Sequence, residues 1–156
     1  RCNNWWKLMI RDLIADDVNE IIELGALMHQ ESPLGGFTFN RERATYILSD
    51  ILGDTAVFAM GYFHEGKLAG MLIGEVSTHL FVDVQIAADI VFYVAPGRRG
   101  AVASKRLIDQ FKAWSAEIRA DITRVQVDAG IDNDRACAFL GHLGFEPKGT
   151  SMMIGI

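Results

Sequence analysis

The apolar run Ile90-Val91-Phe92-Tyr93-Val94 leads directly into Ala95-Pro96-Gly97, and a helical period follows at Ala103, Leu107, Phe111 and Trp114. A β-branched and aromatic run of this kind reads as a strand, Pro-Gly as a turn, and spacings of three and four as one helix face. Strand, tight turn and helix in succession commit this part of the chain to an α/β arrangement, because the helix must pack back onto the sheet. The start of that helix breaks a local rule. Helix N-termini favour acidic neighbours, yet Arg98, Arg99, Lys105 and Arg106 crowd this one. A bound anion at the exposed N–H groups resolves the conflict, and a phosphate or pyrophosphate suits them. A solvated basic helix end is the other reading of the same residues.

Composition limits what the anion is. A net charge of −5 over 156 residues argues against a general nucleic-acid binder, so the basic cluster is local and fits a small ligand. Half of the residues are apolar, enough for a core in one domain spanning residues 1 to 156. Cys2 and Cys137 are far apart, and Cys137 sits in a helical pattern as a buried packing residue, so no disulfide framework is expected. Four scattered histidines give no ligand spacing, and no metal is expected. Nothing near the start resembles a leader, and no apolar run is long enough to cross a membrane. A cytoplasmic protein is the expectation.

The remaining elements follow from periodicity. Trp6 to Arg11 reads as a first strand, and Asp16 and Asp17 open a helix with Val18, Ile21, Ile22, Gly25 and Met28 on one face. A turn-rich loop from His29 to Phe37 precedes a second helix, capped by Asn40, with Ala44, Ile47, Leu48 and Ile51 as its stripe. Thr55 to His64 and Lys67 to Thr78 form a hairpin turning at Glu65-Gly66. The strand ending at Val94 and a helix to about Arg119 come next, then a strand over Arg124 to Asp128. Asp132 or Asn133 caps a helix carrying Ala136, Phe139, Leu140 and Leu143, and Gly149 to Ile156 reads as a last strand. The order β-α-α-β-β-β-α-β-α-β predicts a three-layer α/β/α domain on a mixed sheet.

The chain resembles the GCN5-related N-acetyltransferases over nearly its whole length. Their loop signature, Val-x-Pro-x-x-Arg-Gly-x-Gly-x-Gly/Ala, appears as Val94-x-Pro96-x-x-Arg99-Gly100, with Leu107-Ile108 as the paired apolar residues that follow. Their second signature, Asn-x-x-Ala-x-x-Phe/Leu and then Gly-Phe, appears as Asn133-x-x-Ala136-x-x-Phe139 and Gly144-Phe145. Two departures stand out. Val102 and Ser104 occupy positions usually filled by Gly, and a shift of one residue puts Ala101 and Ala103 there behind Arg98, similar to acetyltransferases of phage and bacterial type. Leu140 stands where many members carry a Tyr that protonates the leaving thiolate.

The resemblance implies acetyl-CoA as acyl donor and a primary amine as acceptor, joined by direct attack in a ternary complex. It places the oxyanion contact at the Val94 N–H, the pyrophosphate at the amides of Arg99, Gly100, Ala101, Val102, Ala103 and Ser104 with charge from Arg98 and Arg99, and the donor's arm at Asn133. Asp89 opens the same strand and reads either as the general base, directly or through a water, or as a solvated strand-start residue. Glu75, alone in an apolar strand, needs a partner or a function and is expected to share Asp89's pocket. His79, Glu31 and Ser32 lie on the acceptor side. Glu31 suits a cationic amine, or is a helix-end residue in water. A homodimer through Trp5, Trp6 and Met152-Met153-Ile154 is compatible with the family's habits. Two competing functions are a non-catalytic acyl-CoA-binding module, favoured by Leu140, and a toxin-type enzyme acetylating aminoacyl-tRNA, disfavoured by the net charge.

Overall fold

In the computed structural model, residues 8–127 and 130–154 are described. The elements are β1 (Leu8–Asp12), α1 (Val18–Glu31), α2 (Arg41–Ile51), β2 (Val57–His64), β3 (Lys67–Thr78), β4 (Gln85–Val94), α3 (Ala101–Glu117), β5 (Ile122–Arg124) and α4 (Asn133–His142). The strands lie side by side in chain order. Pairs from β1 to β4 are antiparallel, and β4 with β5 is parallel. The parallel pair is what the β4-α3-β5 crossover requires.

Strand alternation sorts the core into two layers. Met71 and Ile73 of β3 join Ile21 and Leu24 of α1 on one face, while Leu72 joins Leu107, Ile108 and Phe111 of α3 on the other. Phe111 is fully buried, and its ring lies 5.2 Å from Phe58 and 5.8 Å from Trp114. Burying side chains of this size stabilises the fold by roughly 1.5–3 kcal/mol each. The β2–β3 turn has Glu65 at φ 51° and Gly66 at φ 80°, the paired positive values of a two-residue hairpin. Asn40 caps α2 by accepting the Arg43 N–H at 2.9 Å.

The three-layer mixed architecture matches the sequence reading, with local corrections. Of the α2 stripe, Leu48 and Ile51 reach the core but Ile47 is exposed, since α2 touches the sheet side only along a narrow edge. Cys137 is exposed, because Leu140 is the residue that α4 buries. The alternating stretch after Arg124 does pack Val125 and Val127 on the α3 core, yet the strand ends at Arg124. Residues 149–154 form no strand, and Met152, Met153 and Ile154 are exposed. A β5 of three residues offers them too short an edge. Cys2, Trp5, Trp6, Asp128 and Ile156 lie outside the described residues. No helix among the described residues is long and apolar enough to cross a membrane.

One ion pair fastens the first corner. Arg11 on β1 grips Asp17 with two hydrogen bonds of 2.7 and 2.8 Å, and Asp17 also accepts the Ile14 N–H at 2.9 Å. The guanidinium lies 3.9 Å above the Phe63 ring. Hydrogen bonding to Arg11, more than any other contact, holds the buried Asp17 carboxyl below its ordinary value. A carboxyl lowered by folding stabilises fully above the unfolded chain's value, near pH 4, and its contribution is lost as pH falls through the lowered one. Asp17→Asn should therefore cost about 2 kcal/mol at pH 7. Urea denaturation should show the gap between variant and parent closing as pH falls below the unfolded chain's value, about 4, and through the lowered one.

Candidate active site

The site begins with a slip in register. Ile73 of β3 faces Val91 of β4, but Gly74 faces Asp89, which leaves Ile90 as an extra, exposed residue. Such a bulge bends its strand and increases the local twist. On its other side, among the described residues, β4 pairs with β5 at Ile86, Ala87 and Ala88. Beyond Ala88 the two parallel segments separate into a fork. Asp89 stands in its angle, 8% exposed, and its Oδ1 accepts the Gln126 N–H at 2.8 Å. A side-chain oxygen thus receives the N–H of a residue beyond the last rung of the ladder. Gly74 opposite it has no room for a side chain. A Cβ there would lie 2.7 Å from Phe111 Cε2 and 2.8 Å from the Ala88 oxygen.

The fork exposes backbone. The Ala95 N–H donates to the Ala69 carbonyl at 2.8 Å, so alternation turns the N–H and C=O of Val94, and likewise those of Phe92, away from β3. They face a cavity of about 300 Å³ walled by Phe92 and Val94, Ser104 of α3, Gln126, and Asn133 and Leu140 of α4. That volume lies at the lower end of the range of small-molecule sites.

At the mouth, Ala95 to Arg98 close a turn, with the Arg98 N–H donating to the Ala95 carbonyl at 3.0 Å and Gly97 at φ 75°. Gly100 begins α3 without a side-chain cap, and no acidic residue occupies the first turn. Its opening N–H groups therefore keep the donor capacity expected of a helix start. Val102 is 56% exposed and outside the cavity wall, Ala103 is buried in the core, and Ser104 and Asn133 line the cavity. Arg98 is exposed on the turn.

The other basic residues are more committed than the sequence indicated. Arg99 donates through Nε to the Val94 carbonyl at 2.9 Å and through Nη2 to Glu31 at 2.5 Å. Lys105 pairs with Asp109 at 2.5 Å. Glu31 also accepts the Tyr93 hydroxyl. That bond, with Arg99 adding to it, holds the Glu31 carboxyl below its usual range. Burial first, then the bond to Glu31, raises the Tyr93 phenol well above its ordinary value. Tyr93 had no distinguishing mark in sequence beyond its place in an apolar strand.

The predicted acceptor-side residues do not converge. Ser32 turns its hydroxyl back on the His29 carbonyl at 2.9 Å. His79 accepts the Phe81 N–H at 3.2 Å in an exposed loop. Glu75 is exposed and shares the sheet face of Met71 and Ile73, whereas Asp89 lies on the Gly74 face toward α3. The two carboxylates are therefore on opposite faces, and the expectation of a common pocket fails on strand parity. Among the described residues no group of His, Cys, Asp and Glu is arranged to hold a metal ion.

Residues 24–145 match the family model of the acetyltransferase (GNAT) family. The chain belongs to this family. The GNAT fold recurs in solved structures at low identity. An aminoglycoside acetyltransferase, HMB0005, from an uncultured soil metagenomic sample is 21% identical with a TM-score of 0.74, over 96% of this chain and 98% of that one. A second, meta-AAC0020, also from an uncultured soil metagenomic sample, is 19% identical with a TM-score of 0.76, over 97% and 98%. A ribosomal-protein-alanine N-acetyltransferase from Brucella melitensis biovar Abortus 2308 is 19% identical with a TM-score of 0.71, over 96% and 99%. None of the curated proteins matches the chain by sequence.

Membership makes this GNAT chain an acyltransferase, and its departures can be placed. Val102, in a position usually held by Gly, points outward and leaves the cavity unobstructed. Leu140 is buried against the cavity, so no phenol is available there. The fork itself is open to test. Asp89→Ala removes the acceptor of the Gln126 N–H and should lower stability by about 2 kcal/mol. Asp89→Asn retains an acceptor oxygen and should lose less than half of that in the same denaturation experiment.

Proposed function

We propose that this GNAT enzyme transfers an acetyl group from acetyl-CoA to a primary amine by direct attack in a ternary complex. The observation that carries the reading is the fork, where two parallel segments part and present the backbone of Phe92 and Val94 to a cavity that runs to an uncapped helix start. The residues present fit the donor. An extended amide-bearing arm can add to the free β4 edge as a strand would. The first N–H groups of α3 from Gly100 to Ala103 suit a pyrophosphate, with Arg98 adding charge, while the Ser104 N–H is already spent on the Gly100 carbonyl at 3.3 Å. Bound there, the donor supplies an activated acyl carbonyl and a thiolate leaving group.

The chain's own residues do the remaining work. The Val94 N–H faces the fork and is placed to donate to the developing oxyanion. Asn133 orients the arm from the start of α4. Asp89, in the angle of the fork, receives the proton of the attacking ammonium, directly or through a water. Glu75, exposed on the other sheet face, adds negative charge that suits a cationic acceptor. With Leu140 in place of a phenol, no side chain at that position would protonate the thiol product. The acceptor is a small-molecule or peptide amine. Structures of similar fold include aminoglycoside and ribosomal-protein-alanine acetyltransferases.

Leu140 also favours a second reading, an acyl-CoA-binding module without turnover, and one experiment separates the two. Gly100 has an extended backbone, φ −158°, and open space where a Cβ would stand. Gly100→Asp should fold normally, since Asp is a good helix cap, while its carboxylate repels an anion. Calorimetry should show acetyl-CoA binding by the parent and at least tenfold weaker binding, about 1.4 kcal/mol, by the variant. Thiol release in the presence of an amine panel supports the transferase, and binding without release by any amine supports the module.

A further inference from the structure

We infer that Glu31 and Arg99 form a strut fixing the end of the acyl-donor slot, so that Arg99 is a positioning residue and not a ligand of the donor's phosphates. The inference rests on reading the fork as an acyl-donor site and reassigns one of its residues. Arg99 sits beside the phosphate-binding helix start, where its charge invites that role. The side chain is in the cavity wall, but two of its three nitrogens are engaged by the protein itself. Nε closes the Val94 carbonyl at 2.9 Å, and Nη2 holds Glu31, the last residue of α1, at 2.5 Å. The guanidinium centre also lies 5.5 Å from the Tyr93 ring centroid, and the Tyr93 hydroxyl donates to the same Glu31.

The Val94 carbonyl explains why this matters. It belongs to the edge of β4 that faces the cavity, and its peptide is already held from the β3 side by the Ala95 N–H on the Ala69 carbonyl. Arg99 holds it from the other side. The final peptide of β4 is therefore pinned along both edges, and the free edge offered to a donor's amides stops short of the Val94 oxygen. Turning Arg99 toward a phosphate would strip the carbonyl of its donor, Glu31 of its cation and the Tyr93 ring of its cation contact. Hydrogen bonds with a charged partner are about twice as strong as neutral ones, and this arginine makes one to a carboxylate at a site only 35% and 28% exposed for the two side chains. Arg98, exposed on the turn, and Arg135 of α4, in the cavity wall, are the cations that can face the phosphates. The strut also ties the C-terminal end of α1, on the acceptor side, to the backbone that positions the thioester.

Calorimetry with acetyl-CoA, S-acetylpantetheine, which lacks the phosphates of the nucleotide half, and adenosine 3′,5′-bisphosphate separates the two roles. Arg99→Ala should weaken acetyl-CoA and S-acetylpantetheine by the same factor, about tenfold, and leave the bisphosphate unchanged. Glu31→Gln should act in the same direction, and the double variant should be no worse than Arg99→Ala alone. Arg98→Ala should show the opposite pattern, weakening the phosphate-bearing probes and sparing S-acetylpantetheine. Glu31→Gln keeps the side-chain size and an acceptor for Tyr93, so it serves as the folding control, checked by its melting temperature. The strut is overturned if Arg99→Ala weakens the bisphosphate and acetyl-CoA while sparing S-acetylpantetheine, or if Glu31→Gln changes neither thioester. If the parent binds acetyl-CoA in none of these titrations, the acyl-donor reading itself fails, and the strut's role falls with it.

Discussion

Beyond Ala88 a parallel pair of segments loses its ladder, and a buried carboxylate stands where they part. The Asp89 oxygen on the Gln126 N–H gives a partner to a donor that lies past the last paired residue, where the ladder has ended. The bulge at Ile90 and the bare backbone of Gly74 make the geometry around it feasible. Everything proposed for the site hangs on this separation, because it exposes strand edges that a sheet would otherwise consume internally.

The two faces of the sheet divide the labour. On one, α3 and its Phe111-centred core hold the fork and the uncapped helix start. On the other, α1 and α2 cover Met71 and Ile73, and Glu75 emerges at the edge of that layer. Glu31 bridges the division, since α1 ends beside the turn that closes β4 and reaches Arg99 there. The Arg11–Asp17 pair ties the other end of α1 to β1 through charge-assisted hydrogen bonds.

Much of this was legible beforehand, for local reasons. The strand, turn and helix around Pro96-Gly97, the hairpin at Glu65-Gly66 and the cap at Asn40 each depend on a few neighbouring residues whose conformational preferences agree. The basic cluster at α3 was legible as composition and misleading as electrostatics. Arg99 finds its partner 68 residues earlier in Glu31, and no local pattern reveals that. Glu75 and Asp89 were grouped because their strands are neighbours, but strand parity puts them on opposite faces, and parity across a bulged pair is known only once the register is. The alternation through Val125 and Val127 reported burial correctly and strand pairing wrongly, because pairing needs a neighbour within reach.

By itself the sequence determined the class of fold, the order of elements through α4, the turn and basic helix start after β4, and the family. These follow from periodicities and turn chemistry that act over a few residues. Only the tertiary structure decided where the sheet opens, which carboxylate stands in the opening, and which arginine is already spent on Glu31 and Val94. Those depend on register and on contacts between distant segments, where a shift of a single residue reverses the face a side chain occupies.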